Sequence, residues 1–263
     1  MLPFPFRGGL KLKALITGAS SGIGRELAKK LVNQYDEIVI VARSEDKLNE
    51  LQDELLKRNA EAKVKIAICD VSVLENCIKL HEENPGVDLL INNAGFGDYG
   101  FFTETSLEKE LSMIQTNITA YHILTKLYLT DMKKADKGRI LNVASIAGFM
   151  PGPLMATYYA TKAYVVRLSE AIREELRREK SKVKISILCP GPVETNFNQV
   201  ANVNFSLKGL SSKYVAEYTI KHLNDFYIVP GFLIRLARHG THLVSSSFAA
   251  NMAYNMQKKK AHK

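Results

Sequence analysis

The stretch Lys13-Ala14-Leu15-Ile16-Thr17-Gly18-Ala19-Ser20-Ser21-Gly22-Ile23-Gly24 runs a short apolar segment straight into a glycine-rich turn, which opens into a helical pattern. An apolar run of this length bounded by glycine reads as a strand buried on both faces. The glycines let backbone N–H groups approach an anion, and the positive end of the following helix favours its charge. Strand, turn and helix in that order are the setting in which such glycines read as a pyrophosphate cradle rather than only a tight turn. Gly18, Ser20, Ser21, Gly22, Ile23 and Gly24 are its candidate residues. Three residues separate Gly18 from Gly22, where the common dinucleotide fingerprint has one.

The same alternation continues outward. Val-, Ile- and Leu-rich runs at Lys13 to Thr17, Glu37 to Ala42, Val64 to Cys69, Asp88 to Asn92, Arg139 to Ala144 and Lys184 to Cys189 predict strands. Between them, Ile23 to Gln34, Glu45 to Arg58, Val73 to Glu82, Leu107 to Met132 and Ala156 to Glu179 carry helical periodicity. Continuously apolar strands interleaved with helices predict an α/β fold, a parallel sheet covered on both faces in the doubly wound manner. After Pro190-Gly191-Pro192 the pattern breaks, and residues 193–212 read as a partly irregular substrate lid. A helix from Ser211 to Leu223, a short strand near Tyr227 to Val229 and a helical extension over residues 232–263 complete what reads as one domain.

Of 263 residues, 46% are hydrophobic, enough for a substantial core. The formal charge of +9 does not indicate nucleic acid, because most basic residues interleave with acids, as in Arg167 to Lys180, and no basic-aromatic stripe is present. Three irregularly spaced cysteines, Cys69, Cys77 and Cys189, form neither a disulfide framework nor a metal knuckle and read as reduced thiols of a cytoplasmic chain. No run is long enough to span a bilayer, and Met1 to Leu10 has no signal-peptide core.

About 20 residues beyond the glycine turn, an NAD-type site would place an acid against the ribose hydroxyls. Ala42 and Arg43 stand there instead. A guanidinium matches a 2′-phosphate in charge and fork geometry, so the inferred cofactor is NADP(H). Asp70, with Val71 after it, is placed to accept from an adenine amino group, and serves equally as a helix cap. Asn93, Ala94 and Gly95 after the fourth strand suit a cofactor lying against backbone, or simply a turn.

Tyr158 and Lys162 lie one helical turn apart, preceded by Ser145 at a strand end. A phenol with an ordinary pKa of about 10 is a poor acid at neutrality, and a nearby ammonium lowers that value. By itself the pair is an ordinary helix-surface contact. Tyr159 lacks the lysine four residues on and reads as packing or pocket wall.

Thr17 to Gly24, Asn92 to Gly95, Asn117, Ser145, Tyr158 with Lys162, and Pro190-Gly191 with Thr195 together resemble the short-chain dehydrogenase/reductase family in order and spacing. The resemblance covers residues from about 12 to 225. It implies a single Rossmann domain with a seven-stranded parallel sheet, assembled as a homodimer or homotetramer. It implies a catalytic set of Asn117, Ser145, Tyr158 and Lys162, with Asn117 holding a water that links the lysine to solvent. Pro190, Gly191, Val193 and Thr195 should border the nicotinamide.

Ala147, Phe149, Met150, Pro151, Leu154, Met155, Phe197 and Phe205, with Phe96 and Tyr99 at the mouth, are the substrate-pocket candidates. Their apolar character favours a hydrophobic carbonyl or alcohol such as a steroid, bile acid, acyl or aryl compound. A non-catalytic NADP(H)-sensing or scaffold protein would be the alternative had Tyr158 or Lys162 been lost. The extension fits packing on the domain or a neighbouring subunit better than an interfacial membrane anchor.

Overall fold

The computed structural model describes residues 11–195, 197, 201, 209–232, 234–236 and 245–258. Seven strands form one parallel sheet in the order β3-β2-β1-β4-β5-β6-β9. They are β1 (Lys13–Thr17), β2 (Glu37–Ala42), β3 (Lys63–Ile68), β4 (Leu89–Asn92), β5 (Arg139–Val143), β6 (Lys184–Leu188) and β9 (Tyr227–Ile228), while β7 (Val193–Glu194) and β8 (Leu210–Ser211) pair separately. Each adjacent pair in the large sheet is parallel. Such pairs require crossovers, and the helices that provide them cover both faces. The helices between strands are α1 (Gly22–Leu31), α2 (Glu45–Arg58), α3 (Leu74–Glu82), α4 (Leu107–Ile114), α5 (Ala120–Ala135), α6 (Ala156–Arg178) and α7 (Ser212–Lys221), followed after β9 by α8 (Ser246–Lys258).

The core lies in two main layers. Leu27, Ala28 and Leu31 of α1 and Leu48, Leu51 and Leu55 of α2 pack on one side with Ile38 and Ile40. Leu124, Tyr128 and Met132 of α5 and Ile172 and Leu176 of α6 pack on the other with Leu15, Val39 and Leu90. These residues recur at helical spacing, so no helix can turn over without exposing its apolar stripe, while successive residues of β1 and β2 feed the two layers in alternation. Full burial of each such side chain contributes about 2 kcal/mol. The outer face of α6 carries the expected ion pairs, Arg167–Glu170, Arg177–Glu174 and Arg178–Glu174.

The expectation of strands buried on both faces holds for β1, β2, β4 and β5. It does not hold for β3, whose residues are half-buried or exposed. Being the sheet edge, β3 has a neighbour on one side only. The helix expected across Leu107 to Met132 is also interrupted: a π-turn at Gln115–Thr119 separates α4 from α5.

The strand order reverses between β1 and β4, so the loops after these strands diverge and leave a crevice at their C-terminal ends. At the far end of the chain α8 turns Ala249, Ala253 and Gln257 inward. That one-sided burial at i, i+4 spacing packs this helix on the domain. No helix of the described residues is long and apolar enough to cross a membrane.

Candidate active site

A cavity of about 1060 Å³ occupies this crevice and extends along it to α8. At its β1 end the turn is held by a compact set of hydrogen bonds. Thr17 Oγ1 accepts from the backbone N–H of Asn93 at 2.9 Å and of Ala94 at 3.1 Å, and Asn93 Nδ2 donates to the carbonyls of Thr17 and Gly18 at 3.0 and 3.1 Å. Gly18 has φ +65°, and a Cβ there would lie 2.8 Å from the Ala94 Cα; one at Gly24 would lie 2.5 Å from the Gly18 carbonyl oxygen. The two loops therefore meet backbone to backbone, which is the cradle an anion needs.

Gly18, Ser20, Ser21, Gly22, Ile23, Arg43, Asp70, Val71, Asn93, Ala94, Gly95, Pro190, Gly191, Val193 and Thr195 all line this one cavity. Gly24 does not; it is buried beneath Gly18, where its missing side chain permits the close packing. Arg43 Nη1 stands 3.7 Å from Asp70 Oδ2, with its side chain 75% exposed. Such an exposed pair is worth about 0–1 kcal/mol and is easily exchanged for another anion. Asp70 Oδ1 also accepts from the Ser72 N–H and hydroxyl at 3.0 and 2.7 Å, holding the turn ahead of α3. Burial opposes ionisation of Asp70, yet the Ser72 donors and Arg43 together bring its pKa below the ordinary value.

At the opposite end Ser145, Tyr158 and Lys162 share the cavity wall. Ser145 precedes a 3₁₀ turn, Ile146–Phe149, and its Oγ accepts from the Ala147 N–H at 3.1 Å. Its hydroxyl donates to the Pro190 carbonyl at 3.4 Å. Lys162, 4% exposed, donates through Nζ to the Val143 carbonyl at 3.0 Å and lies 5.9 Å from the Tyr158 ring centre. The expectation that Lys162 lowers the Tyr158 pKa is not what the protein alone shows. Burial dominates and raises the phenol above its usual value, Ser145 offsetting part of this. Burial likewise brings the Lys162 ammonium down to about 8.

Asn117 is fully buried at the π-turn. Its Oδ1 accepts from the Phe96 N–H at 3.1 Å, and its Nδ2 donates to the Phe96 carbonyl and Thr161 Oγ1 at 2.9 and 3.1 Å. It thus ties the loop after β4 to α6 one residue before Lys162, without itself lining the cavity. A Cβ at Gly95 would approach Asn117 Oδ1 at 2.9 Å and Lys162 Nζ at 3.5 Å, so the two side chains flank the same point of backbone. The extra residue of a π-turn redirects side chains off the helical face, a device common at functional sites.

Of the substrate-pocket candidates, Ala147, Met150, Met155, Phe197 and Phe96 line the cavity. The Phe197 ring centre is 5.2 Å from that of Tyr158. Phe149 does not line it, because the 3₁₀ turn that faces Ala147 inward points Phe149 at Tyr227, ring centres 6.0 Å apart. Leu154, with φ +66°, adopts a left-handed turn that leaves Met155 in the cavity and puts Leu154 in a separate small cavity beside Asp98 and Met113. Pro151 and Tyr99 also fall outside the lining. Phe205, and the lid at positions 196, 198–200 and 202–208, lie outside the described residues.

Sequence reasoning missed a further wall formed by Ile234 and by Met252, Ala253, Met256 and Gln257 of α8. Tyr159, read as pocket wall or packing, lines the cavity and accepts a hydrogen bond from Gln257 Nε2 at 2.6 Å. The inward spacing of Ala249, Ala253 and Gln257 was the available signal, masked by a glutamine at a core position.

The short chain dehydrogenase family profile matches residues 12–204. An uncharacterised oxidoreductase of Staphylococcus epidermidis is 37% identical over 216 residues, which cover 81% of this chain and 90% of the relative. Dehydrogenase/reductase SDR family member 11 of Homo sapiens is 33% identical over 192 residues, 70% of this chain and 74% of its own. Among solved structures, a short chain dehydrogenase/reductase from Burkholderia phymatum in complex with NAD aligns with TM-score 0.79 and 27% identity, covering 89% of this chain and 94% of that one. A short-chain dehydrogenase from Sphingobium yanoikuyae in complex with NADPH aligns with TM-score 0.78 and 25% identity, covering 92% and 99%. With the profile spanning most of the sheet and both ends of the cavity, the chain belongs to the short-chain dehydrogenase family of oxidoreductases.

Proposed function

We propose that this protein is an NADP(H)-dependent oxidoreductase that interconverts a secondary alcohol and a ketone or aldehyde on a hydrophobic substrate, within a single domain. The observation that carries this reading is that Ser145, Tyr158 and Lys162 open into the same cavity as the Gly18–Gly22 turn and Arg43. A nicotinamide bound there would supply the hydride equivalent. The backbone N–H groups of the turn would hold its pyrophosphate, and Lys162 its nicotinamide ribose hydroxyls.

The residues divide the remaining chemistry. As a carbonyl is reduced, negative charge gathers on its oxygen, and a proton must reach it in the transition state. Tyr158, protonated across the neutral range, donates that proton through its phenol. The Ser145 hydroxyl, on the same cavity wall as Tyr158, orients the same oxygen and stabilises its charge. Lys162 places a positive charge behind the phenol, which matters most when the reaction runs toward the ketone and Tyr158 must accept a proton. Asn117 is a positioning residue, holding Phe96 and Thr161 in register around Lys162. Met150, Met155 and Phe197 make the far wall apolar, which favours a steroid, bile acid, acyl or aryl carbonyl over a sugar.

Solved relatives bind NAD in one case and NADPH in another, so the choice of coenzyme rests on Arg43. Its weak pairing with Asp70 leaves the guanidinium available to a 2′-phosphate. Arg43→Ala is expected to raise the KM for NADPH by about tenfold or more, the worth of one charge-assisted hydrogen bond, and to leave that for NADH nearly unchanged. Steady-state kinetics with both coenzymes check this; an unchanged NADPH KM would sink the assignment.

A further inference from the structure

We infer that Gln257 and Tyr159 form a latch that seats α8 over the substrate end of the cavity and sets the length of apolar substrate the site accepts. The inference rests on the reductase reading and adds a specificity-determining pair to it. Gln257 is 1% exposed although it lies in the last turn of a helix near the end of the described chain. A glutamine is buried there only if its amide is hydrogen-bonded, and its Nε2 donates to the Tyr159 phenol at 2.6 Å. The backbone carbonyl of the same residue accepts from the Tyr99 hydroxyl at 3.3 Å. One residue of α8 is therefore tied to both α6 and the loop after β4.

The partner phenol is fixed in turn. The Tyr159 ring lies so close over Gly152 that a Cβ there would fall 2.1 Å from its Cγ. Its other side meets Tyr158 edge-on, with ring centres 6.1 Å apart. A shift of Tyr159 would thus reach the proposed proton donor and the substrate wall together. With the latch closed, Met252, Ala253 and Met256 present apolar side chains to the cavity. Gln257 and Tyr159 direct hydrogen-bonding groups at each other across the wall, so the distal end of the substrate meets methionine rather than a dedicated polar partner. The site so built takes a carbonyl compound whose far end is apolar and of limited reach.

The test uses the full-length chain with NADPH and a series of n-alkyl phenyl ketones from acetophenone upward, for the wild type, Gln257→Leu, Tyr159→Phe and the double variant. Leucine keeps most of the bulk of glutamine without its donor, and phenylalanine keeps the ring. In either single variant, kcat/KM for the longest ketones relative to acetophenone is expected to rise by about tenfold, the worth of one buried hydrogen bond, with the KM for NADPH unchanged. The double variant should add nothing beyond Gln257→Leu, since both substitutions remove the one contact the two residues share. Hydrogen exchange of residues 246–258, measured without ketone, should quicken by about the same factor in each variant. An unchanged chain-length profile in the variants would overturn the latch. Failure of the wild type to reduce any ketone would instead refute the reductase reading, and exchange would then judge the latch alone: faster in the variants supports it, equal rates overturn it.

Discussion

Tyr158→Phe is expected to lower kcat for carbonyl reduction by about 10²- to 10⁴-fold, the range contributed by a positioned general acid. The substitution removes one hydroxyl and keeps the ring that packs 5.2 Å from Phe197 and 6.1 Å from Tyr159. Fold and coenzyme affinity should therefore survive, which NADPH fluorescence titration can establish beside the kinetics. The apolar surroundings raise the phenol above its ordinary pKa. Carbonyl reduction needs the protonated form and should not be limited by Tyr158 at neutral pH, whereas alcohol oxidation needs a proton acceptor and should gain as pH rises. Residual reduction within tenfold of the wild type would refute its role as proton donor.

Lys162→Met should move activity and stability in opposite directions. Activity falls by about 10²-fold or more, because the charge behind Tyr158 and the proposed ribose contact are both lost. Stability rises. Burial brings the Lys162 pKa from 10.5 to about 8 in the folded chain, so between those values the unfolded chain binds more protons than the folded one. Wild-type stability should accordingly increase as pH rises from about 8 to 10.5, and below about 8 the full cost of the buried cation is present. A displacement of this size corresponds to roughly 3 kcal/mol. Losing the hydrogen bond to Val143 returns about 1 kcal/mol, leaving a net gain of about 2 kcal/mol at pH 7, or roughly 5 °C in Tm. Thermal melts of both proteins across pH 7 to 11 would show it. A methionine variant less stable than the wild type at pH 7 would contradict the view of Lys162 as a strained, functional charge.

That cost marks the site in the structure, while in the sequence it was readable only from motifs taken together. A buried lysine and a buried asparagine are poor choices for stability alone, but each by itself reads as a helix-surface residue, and only their joint order and spacing with Ser145 and the glycine turn made the site legible. The strand Lys13–Thr17, the strand Glu37–Ala42 and the helix Glu45–Arg58 were legible to the residue, because local periodicity and glycine punctuation agree there with the final packing. The π-turn at Asn117 was not legible, since one inserted residue leaves no periodic trace across a helix of ordinary composition. The edge position of β3 was hidden because strand order is a property of the whole sheet. Phe149 and Leu154 were apolar and adjacent to the site in sequence, and only the 3₁₀ turn and the left-handed backbone decide that they face away. The wall contributed by α8 depends on where a distant segment docks, which hydrogen bonds from Gln257 and Tyr99 determine and spacing does not.

The central claim is that this cavity passes hydride equivalents from NADPH to an apolar carbonyl while Tyr158 supplies the proton. It is tested most directly by incubating the protein with NADPH deuterated at the transferring C4 position and a panel of steroid, bile-acid, aryl and fatty carbonyls, with deuterated NADH in parallel. Product alcohols would be read by mass spectrometry. The account predicts an alcohol carrying one deuterium on the former carbonyl carbon, formed at least about tenfold more efficiently with NADPH than with NADH, consistent with one charge-assisted contact. Binding of NADPH with no labelled alcohol from any member of the panel would contradict it.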